Sequence, residues 1–557
     1  MRLRKKANHP DGNSGSSGGS SSGLSPLKYN AFRAIWLAAI ASNIGSLMEA
    51  VGESWLMTSL VASSLIVALT WASDSLSITA LALPAGALAD IVDRRKLLIV
   101  SQSWMLAIAL ILAIVTLAGF ISPAILLVLI FLLGLGEAIS TPAFSPFLLG
   151  TVPRSEIRSA ITLNGVALNI GRGIGPAIGG IIVAAIGPAA VFVLNSLSFA
   201  GIVIVLLRIK SSSKQTEETS RLPAERMFGA MRAGLRYVRN SPSIHGVFVR
   251  ATAFAISSSA LPALLPSLSR FTLRLDSSGY GILFGLFGVG AIIGGIIIVP
   301  RAIKKISPDN LVVIATAIFS VSYMILGSIH NLIALYAAMV LAGIAQLMAF
   351  SSCTYVLYRG LPNWVMSRVA SVYQLVLQAT IVSGTILWGA TADKLGIRIA
   401  LVITGIVLAT GLITKLKFPL HAGGGGEVDV SPSMHWPEPA LVIAPELEHG
   451  PVLVQIEYKI DPTRQYEFAL TMKDLGSIRK RDGAFFWGIF RHDIYQDVFI
   501  ESFLIESWAE HLRQHERITI ADRLVEDRVL SFHIGNKPPV VSHFIAESLE
   551  SMQQRFK

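Results

Sequence analysis

The sequence predicts an all-α polytopic membrane protein with twelve transmembrane helices in two six-helix halves, followed by a small α+β domain of ferredoxin-like topology. Three observations lead to this fold class: the composition, twelve long apolar stretches and an internal repeat. Apolar residues make up 52% of the 557 residues, charged residues make up 15%, and the mean hydropathy is +0.61. This composition leaves too little polar surface to coat a soluble globule. It excludes a disordered chain, a disulfide scaffold and an ordinary cytosolic enzyme.

Twelve stretches are long and apolar enough to cross a bilayer. A hydrocarbon core of about 30 Å needs about 20 mostly apolar residues of helix. The stretches lie near residues 31–59, 65–89, 97–118, 122–150, 159–185, 188–207, 243–268, 278–300, 310–329, 332–357, 367–391 and 397–418.

These spans divide the chain into seven regions. The regions are a Ser/Gly-rich tail at 1–29, a six-helix half at 30–207, a basic loop at 208–242, a second six-helix half at 243–418, a Gly/Pro-rich linker at 419–450, a soluble ferredoxin-like domain at 451–535 and a tail at 536–557. The first region lacks the apolar run of a secretory signal. We therefore predict a disordered cytoplasmic tail there.

The placement of basic residues predicts the orientation. With the N-terminus inside, inner segments before residue 420 carry 26 Lys and Arg, eight of them in the 208–242 loop, whereas the outer loops carry four. This asymmetry follows the positive-inside rule and predicts that both termini lie in the cytoplasm. The expected location is a bacterial inner membrane. Residues 1–420 have a net charge of +18 and the remainder −7. Loops near anionic lipid explain the basic part, so no nucleic-acid partner is expected. The lone Cys353 excludes an intramolecular disulfide.

An internal repeat supports the division into two halves. Gly86 to Lys96 follows the second span, and a similar segment, Gly295 to Lys305, follows the eighth span 209 residues later. At the same offset, two glycines of the fifth span fall on Gly384 and Gly389 of the eleventh. Parallel six-helix repeats around a central cavity are one known transporter architecture.

The loop after the second span carries a family resemblance. Its pattern is a Gly, an Asp four residues later and a charged cluster, namely Gly86, Asp90, Asp93, Arg94, Arg95 and Lys96. This segment resembles the loop motif of the major facilitator superfamily. The resemblance implies a gating loop at the cytoplasmic end of the second span, where charges latch neighbouring helices in one conformation. The alternative is a stop-transfer cluster at the membrane surface.

A second motif lies in the fifth span and has the core Gly-Pro-x-x-Gly-Gly. Its residues include Gly171, Gly175, Pro176, Gly179 and Gly180. The motif resembles the antiporter motif of major facilitator exporters. Small residues let helix backbones approach closely, and Pro removes an internal hydrogen bond, so plain helix packing is the alternative. The whole chain resembles the enterobactin-exporter-like branch of this superfamily, including members with a soluble C-terminal extension.

Ionisable residues within spans are costly and are functional candidates by default. Glu49 and Glu53 lie on one face of the first span, roughly 16 and 10 Å below the outer surface at 1.5 Å per residue. Asp74 in the second span lies roughly 13 Å deep by the same count. Together with Glu137 and Arg172, they are the predicted proton-coupling residues. A static salt-bridge network is the rival interpretation.

Polar and aromatic residues within spans are candidates for the substrate cavity. They are Asn164, Asn169, Gln346, Tyr373, Gln374 and Gln378. Hydrogen bonding between helices is the alternative role for most of them. Arg250, about seven residues into the seventh span, is predicted to snorkel to the inner surface.

The soluble domain is predicted to have the element order β-α-β-β-α-β, which is typical of ferredoxin-like folds. The predicted strands lie at 451–458, 484–492, 497–507 and 529–533, and the helices at 462–480 and 508–527. Val454–Tyr458, Asp482–Phe486 and Trp508–Arg517 resemble the dimeric α+β barrels typified by antibiotic-biosynthesis monooxygenases, which implies possible self-association. His511 and His515 have a spacing that can bind a metal, but the charges around them favour a solvated face.

The functional hypothesis is export of a small amphipathic molecule, of the drug or siderophore class, across the inner membrane by proton antiport with alternating access. Its partners are the lipid bilayer, the substrate and protons. We find no nucleophile–base pair and no phosphate loop, so no catalytic residue, metal or cofactor is predicted. The alternatives are a proton-coupled importer, and a transporter whose C-terminal domain modifies or senses the cargo.

Overall fold

The computed structural model describes residues 24–209, 227–420, 431–433, 435–436 and 446–546. Within these residues, twelve helices are long and apolar enough to cross a membrane, which confirms the predicted number of spans. The spans are Asn30–Leu60, Ser64–Leu81, Arg94–Leu117, Pro123–Leu149, Ile157–Ile186, Pro188–Arg208, Ile244–Thr272, Ser277–Ala302, Pro308–Ser328, Leu332–Arg359, Trp364–Leu395 and Ile397–Lys417.

The first half contains one helix per span. Its helices are α1 (Asn30–Leu60), α2 (Ser64–Ile91), α3 (Arg94–Leu117), α4 (Pro123–Leu149), α5 (Ile157–Ile186) and α6 (Pro188–Arg208). Between the halves, in the predicted loop, lies a further helix, α7 (Met227–Arg239).

The second half repeats the plan with three interrupted spans. Its helices are α8 (Pro242–Ser258) and α9 (Ala260–Ser267) in the seventh span, α10 (Ser277–Ile293) and α11 (Val299–Ala302) in the eighth, α12 (Pro308–Ser328), α13 (Leu332–Arg359), α14 (Asn363–Leu395), and α15 (Ile397–Thr410) with α16 (Thr414–Lys417) in the twelfth. A π-helical stretch, Gly294–Ile298, joins α10 to α11.

Helix ends follow the 209-residue repeat. Helix α4 begins at Pro123 and α13 at Leu332, and α6 and α15 begin after Gly187 and Gly396. Both glycines have a positive φ, +106° and +89°. An L-residue with a side chain rarely adopts this conformation, so Gly lets one span turn directly into the next.

The two halves meet through α2 against α14 and α5 against α10. At one end of the bundle, Asp393 of α14 accepts a hydrogen bond from the Ser63 hydroxyl at 2.5 Å and from the Ser64 N–H at 2.6 Å. At the opposite end, among the described residues, no atom of another element lies within 4 Å of a Cβ placed on Gly86 or Gly165. The halves are therefore in contact at the end predicted to face outward, and toward the other end α2 and α5 leave open space beside Gly86 and Gly165.

The C-terminal region contains a four-stranded antiparallel sheet with helices. The elements are β1 (Val452–Lys459), α17 (Gln465–Asp482), β2 (Phe486–Arg491), β3 (Val498–Ile505), α18 (Trp508–Arg517), α19 (Ile520–Leu530) and β4 (Val540–Ile545). The strand order is β2-β3-β1-β4.

The sequence interpretation was wrong in two places here. The predicted helix at 508–527 divides, because Thr519 and Asp522 form a capping box that starts α19. Val529 and Phe532, interpreted as strand residues, lie at the end of α19 and in the turn after it and pack with Phe468. The last strand is β4, within the residues assigned to the tail.

The C-terminal region rests on α7 and on the start of α14. Arg236 of α7 donates to Glu510 at 3.0 Å, and its Nε–H donates to the Arg481 carbonyl at 3.4 Å. The Arg517 guanidinium lies 4.4 Å from the ring centroid of Trp364. Both α7 and α14 join or belong to the second half, so the soluble region is held against that half.

Candidate functional site

A cavity of about 270 Å³ lies within the first half. The structure brings all five predicted proton-coupling residues into its lining, from four different helices. They are Glu49 and Glu53 of α1, Asp74 of α2, Glu137 of α4 and Arg172 of α5. Depth along each helix had predicted this juxtaposition for α1 and α2.

Glu49 is fixed by the neighbouring sixth span. The Asn195 side-chain amide of α6 donates a hydrogen bond to the Glu49 carboxyl. The other carboxyl oxygen of Glu49 is buried and has no partner among the described residues. One carboxyl oxygen of Glu49 is thus held by Asn195, and the other is buried without a hydrogen bond among the described residues.

Asp74 lies at a close contact between α2 and α4. A Cβ placed on Gly134 would lie 3.2 Å from a carboxyl oxygen of Asp74 and 2.7 Å from the Ser77 Cβ. The Ser77 hydroxyl donates to the Phe131 carbonyl at 2.8 Å, which ties the two helices together. The absence of a side chain at Gly134 therefore lets Asp74 reach the cavity wall.

The charges lining the cavity do not balance. Four carboxyl groups face a single guanidinium, that of Arg172. Glu49 is buried, Glu53 and Asp74 are half-buried, and Glu137 and Arg172 are exposed, so like charges share a space that is only partly open to water. The arrangement is therefore suited to taking up and releasing protons as its exposure to water changes.

A second cavity, of about 200 Å³, shares Glu137 and Leu168 with the first. Polar groups from Ser42, Gln102 and Asn164 line it, so Asn164 is the one predicted substrate residue found here. Leu168 is 45% exposed although it lines both cavities. The two cavities therefore adjoin each other around Glu137 and Leu168.

The other predicted substrate residues line neither cavity. Asn169 donates to the Gly165 carbonyl of its own helix at 2.9 Å, and the Tyr373 ring packs edge-on against Phe248 at 5.4 Å. The remaining three lie in the second half. Gln346 has a buried carbonyl oxygen without a partner among the described residues, Gln374 is exposed and Gln378 is half-buried.

The gating-loop residues make their contacts within the first half. Arg95 donates to the carbonyls of Leu206 and Leu207 at 2.8 and 3.0 Å, which ties α3 to the end of α6. Asp93 accepts from the Lys96 N–H at 3.0 Å and caps α3. Arg94 and Lys96 are exposed, and Gly86 is half-buried. The side chain of Asp90 lies outside the described part of the chain.

The glycines of the antiporter-like motif serve two different interfaces. A Cβ on Gly171, Gly175 or Gly179 would lie within 3.0 Å of α1 atoms, so this face packs inside the first half. A Cβ on Gly180 would lie 2.4 Å from the Ser277 carbonyl of α10, in the other half. The Pro176 carbonyl likewise approaches Gly281 of α10. The motif therefore lets α5 contact both halves at backbone distance.

Two site residues were missed by sequence reasoning. Asn195 lies in the middle of the sixth span, and its polarity there was the available signal. Asp393 caps α2 across the junction of the halves. In the sequence, Asp393 lies at the end of a span, where charged loop residues are common. No signal therefore indicated that it would pair with the start of α2.

The prediction for Arg250 was wrong. Its side chain does not snorkel: it is 3% exposed and forms an ion pair with Asp309 at the start of α12. Asp309 also accepts from the Leu420 N–H at 3.1 Å. A carboxylate within reach offsets the cost of burying the guanidinium.

The solvated face predicted for His511 was also wrong, since its helix face turns inward and His511 is buried.

Known membrane transporters resemble this chain in sequence or in fold. A curated relative, the staphyloferrin A transporter of Staphylococcus aureus, is 22% identical over 394 residues, which cover 69% of this chain and 96% of that protein. A solved bacterial homologue of the human lysosomal transporter Spinster, inward-facing and unoccupied, shares the fold with a TM-score of 0.56 and 15% identity, over 71% of this chain and 98% of that chain.

The nucleoside transporter NupG gives a TM-score of 0.57 at 10% identity, over 70% of this chain and 100% of that chain. A family model described as transmembrane secretion effector matches residues 21–551. The chain therefore belongs to the transmembrane secretion effector family and is a multi-pass membrane transporter of the major facilitator type.

Proposed function

We propose that this protein exports a small amphipathic molecule, of the drug or siderophore class, across the bacterial inner membrane in exchange for protons. The observation that carries the proposal is the cavity of the first half, where four carboxyl groups face one guanidinium. A proton antiporter needs groups that change protonation as access alternates between the two sides.

Asp74, with Glu49 or Glu53, carries the proton in this mechanism, and Arg172 responds to the change of charge. When the halves are apart at the inner end, the cavity opens to the cytoplasm, and cargo enters as the carboxyls release protons. Closure of that end and opening of the other exposes the carboxyls to protons from outside. The rival is a static network in which the same charges only hold helices together.

Different observations support the direction of transport and the class of cargo. The family description as a secretion effector and the antiporter-like motif favour export. The name of the relative, a staphyloferrin A transporter, favours a siderophore-like cargo. The positive-inside asymmetry supports cytoplasmic termini, and the gating loop then lies at the cytoplasmic surface.

The C-terminal region supports a second role, as a cargo-sensing module with a ferredoxin-like fold. Its docking through Arg236 and Arg517 gives it a physical connection to the second half.

The open sheet face carries an apolar row across all four strands, from Phe486 through Leu504 and Leu453 to Phe544. We expect a second copy of the chain to cover this row, and Phe544→Glu to yield monomers in native mass measurement. A dimer unchanged by Phe544→Glu would contradict self-association.

Transport can be tested in inside-out vesicles with an acidic lumen. A panel of siderophores, dyes and antibiotics is added outside, and luminal pH is followed. Antiport predicts that a cargo raises luminal pH as protons leave. No response to the whole panel, with folded protein verified, would favour uptake or a different cargo. Deleting residues 427–557 then separates the roles, because unchanged export would leave the soluble region accessory.

A further inference from the structure

A short segment of the predicted linker packs onto the soluble region. Its described residues, 431–433 and 435–436, are called the strap. The Ser433 N–H donates to the Ile518 carbonyl at 2.9 Å, and the Ile520 N–H donates to the Ser431 carbonyl at 3.0 Å. The strap is thus held by backbone hydrogen bonds at the break between α18 and α19.

The end of the strap places two rings over a single carboxylate. His435 Nε2 lies 2.7 Å from the Glu526 carboxyl, and the Trp436 indole N–H donates to the same oxygen at 3.0 Å. The Trp436 ring lies 4.9 Å from the Arg479 guanidinium and packs edge-on against His515 at 4.8 Å. Trp436 therefore contributes one planar ring and one hydrogen-bond donor to this place.

The groups beneath Trp436 form a buried polar floor. Arg479 is buried and bridges two buried carboxylates, donating to Glu526 at 2.5 Å and to Glu501 at 3.1 Å. Burial lowers the pKa of His511 to about 3 and that of His515 to about 4. Both imidazoles are therefore neutral at cellular pH and present ring faces rather than charge.

Two features make this floor more than a packing contact. The side-chain amide of Gln514 is buried and forms no well-aligned hydrogen bond with the described residues, although the His511 imidazole lies beside it. Glu526 uses one oxygen for Arg479 and turns the other toward the strap. A buried amide without a well-aligned hydrogen bond needs an explanation, and a bound ligand would provide one.

We infer that the soluble region contains a binding site for a planar aromatic group with an N–H or O–H donor, and that the strap occupies it as an internal ligand. A ligand of that class reproduces both contacts of Trp436, the cation–π contact with Arg479 and the donor to Glu526. Because the strap is tethered, a free ligand competes with a high effective concentration and binds the intact chain weakly.

The strap lies close in sequence to the last span. Leu420, eleven residues before Ser431, is buried, and its N–H donates to Asp309 at the start of α12. The strap is the next part of the chain that the structure describes after Leu420.

The test uses the full chain in lipid nanodiscs, with indole as the probe and N-methylindole as the matched control that lacks the donor. Trp436→Gly should bind indole at least about tenfold more tightly than wild type, because no internal ring competes. It should bind N-methylindole about tenfold more weakly than indole, the factor that corresponds to 1.4 kcal/mol. Wild type in the same nanodiscs corrects for indole dissolved in lipid.

Trp436→Phe provides a second variant that keeps a ring and removes the donor, and it should bind indole more tightly than wild type. In wild type, saturating indole should speed hydrogen exchange of residues 431–436. Equal indole binding by the two variants and wild type, or equal affinity for the two probes, would overturn the site. Unchanged exchange of the strap at saturation would overturn its displacement.

Discussion

The two halves share one helix plan but differ in what their interiors hold. At the 209-residue offset, the positions of Glu49, Glu53, Asp74, Glu137 and Arg172 correspond to Ser258, Pro262, Leu283, Gln346 and Ile381. Where the first half has an acidic cavity, the second half packs aromatic rings. The ring centroid of Phe254 lies 5.5 Å from those of both Phe319 and Phe350. The buried Arg250 of the second half has its own carboxylate partner.

This difference points to different tasks for similar scaffolds. Unbalanced charge inside a membrane protein is costly, so its restriction, among the described residues, to the cavity of the first half indicates a specialised role there. The second half instead pairs its buried Arg250 and packs aromatic rings. We therefore expect the coupling chemistry to lie in the first half.

The largest expected effect comes from removing the cation of the first half. Arg172→Gln removes the cation from a cavity that four carboxyl groups line, and transport in inside-out vesicles should fall at least a hundredfold. The repeat-related control, Ile381→Leu, keeps volume and polarity and should stay within about twofold. Equal losses in the two variants would contradict the division between the halves.

The next effect tests the backbone contact between the halves. A Cβ on Gly288 of α10 would lie 1.9 Å from the Arg172 carbonyl oxygen, so Gly288→Ala should destabilise the folded protein by about 1–3 kcal/mol. Thermal unfolding in detergent measures this loss. Gly201→Ala in α6, whose Cβ would meet no described atom within 4 Å, should not lower the melting temperature.

A smaller effect is expected at the closed end. Asp393 caps α2 across the halves, whereas Asp276 caps α10 within one half, accepting from the Gly279 N–H at 2.9 Å. Each cap contributes about 0.5–2 kcal/mol. Asp393→Ala should therefore increase labelling of a cysteine introduced at Leu65, and Asp276→Ala should not. Increased labelling in both would mean that Asp393 has no special role in closure.

The smallest effect concerns docking of the soluble region. Burial alone would raise the pKa of the Glu510 carboxyl, but Arg517 and Arg236 lower it below its ordinary value. The part of this lowering that comes from Arg236 of α7 stabilises the docked state at neutral pH, and this stabilisation is lost as the pH falls through the pKa of Glu510 in the docked state. Arg236→Ala should weaken this dependence and speed hydrogen exchange in α18. Arg232→Ala, which breaks an exposed pair with Glu506, should leave both unchanged.

Much of the membrane region could be predicted from sequence because the bilayer imposes length and polarity on each helix. Depth counting along α1 and α2 brought Glu49, Glu53 and Asp74 to one level without knowledge of the packing. The partner of Glu49, Asn195, could not be predicted because helix rotation decides which polar group it meets. In the soluble region, local capping at Thr519 overrode a continuous helical pattern, and the strap looked like an ordinary Pro-rich linker.

The most direct test of the central claim is the pH dependence of export by Asp74→Asn, measured with a cargo identified in the vesicle panel. We predict that this variant no longer raises luminal pH on cargo addition and that its residual transport is independent of pH. Asp276→Asn, the same chemical change outside the cavity, should keep the wild-type response. Export by Asp74→Asn with its full pH dependence would contradict a proton-carrying role for the first half.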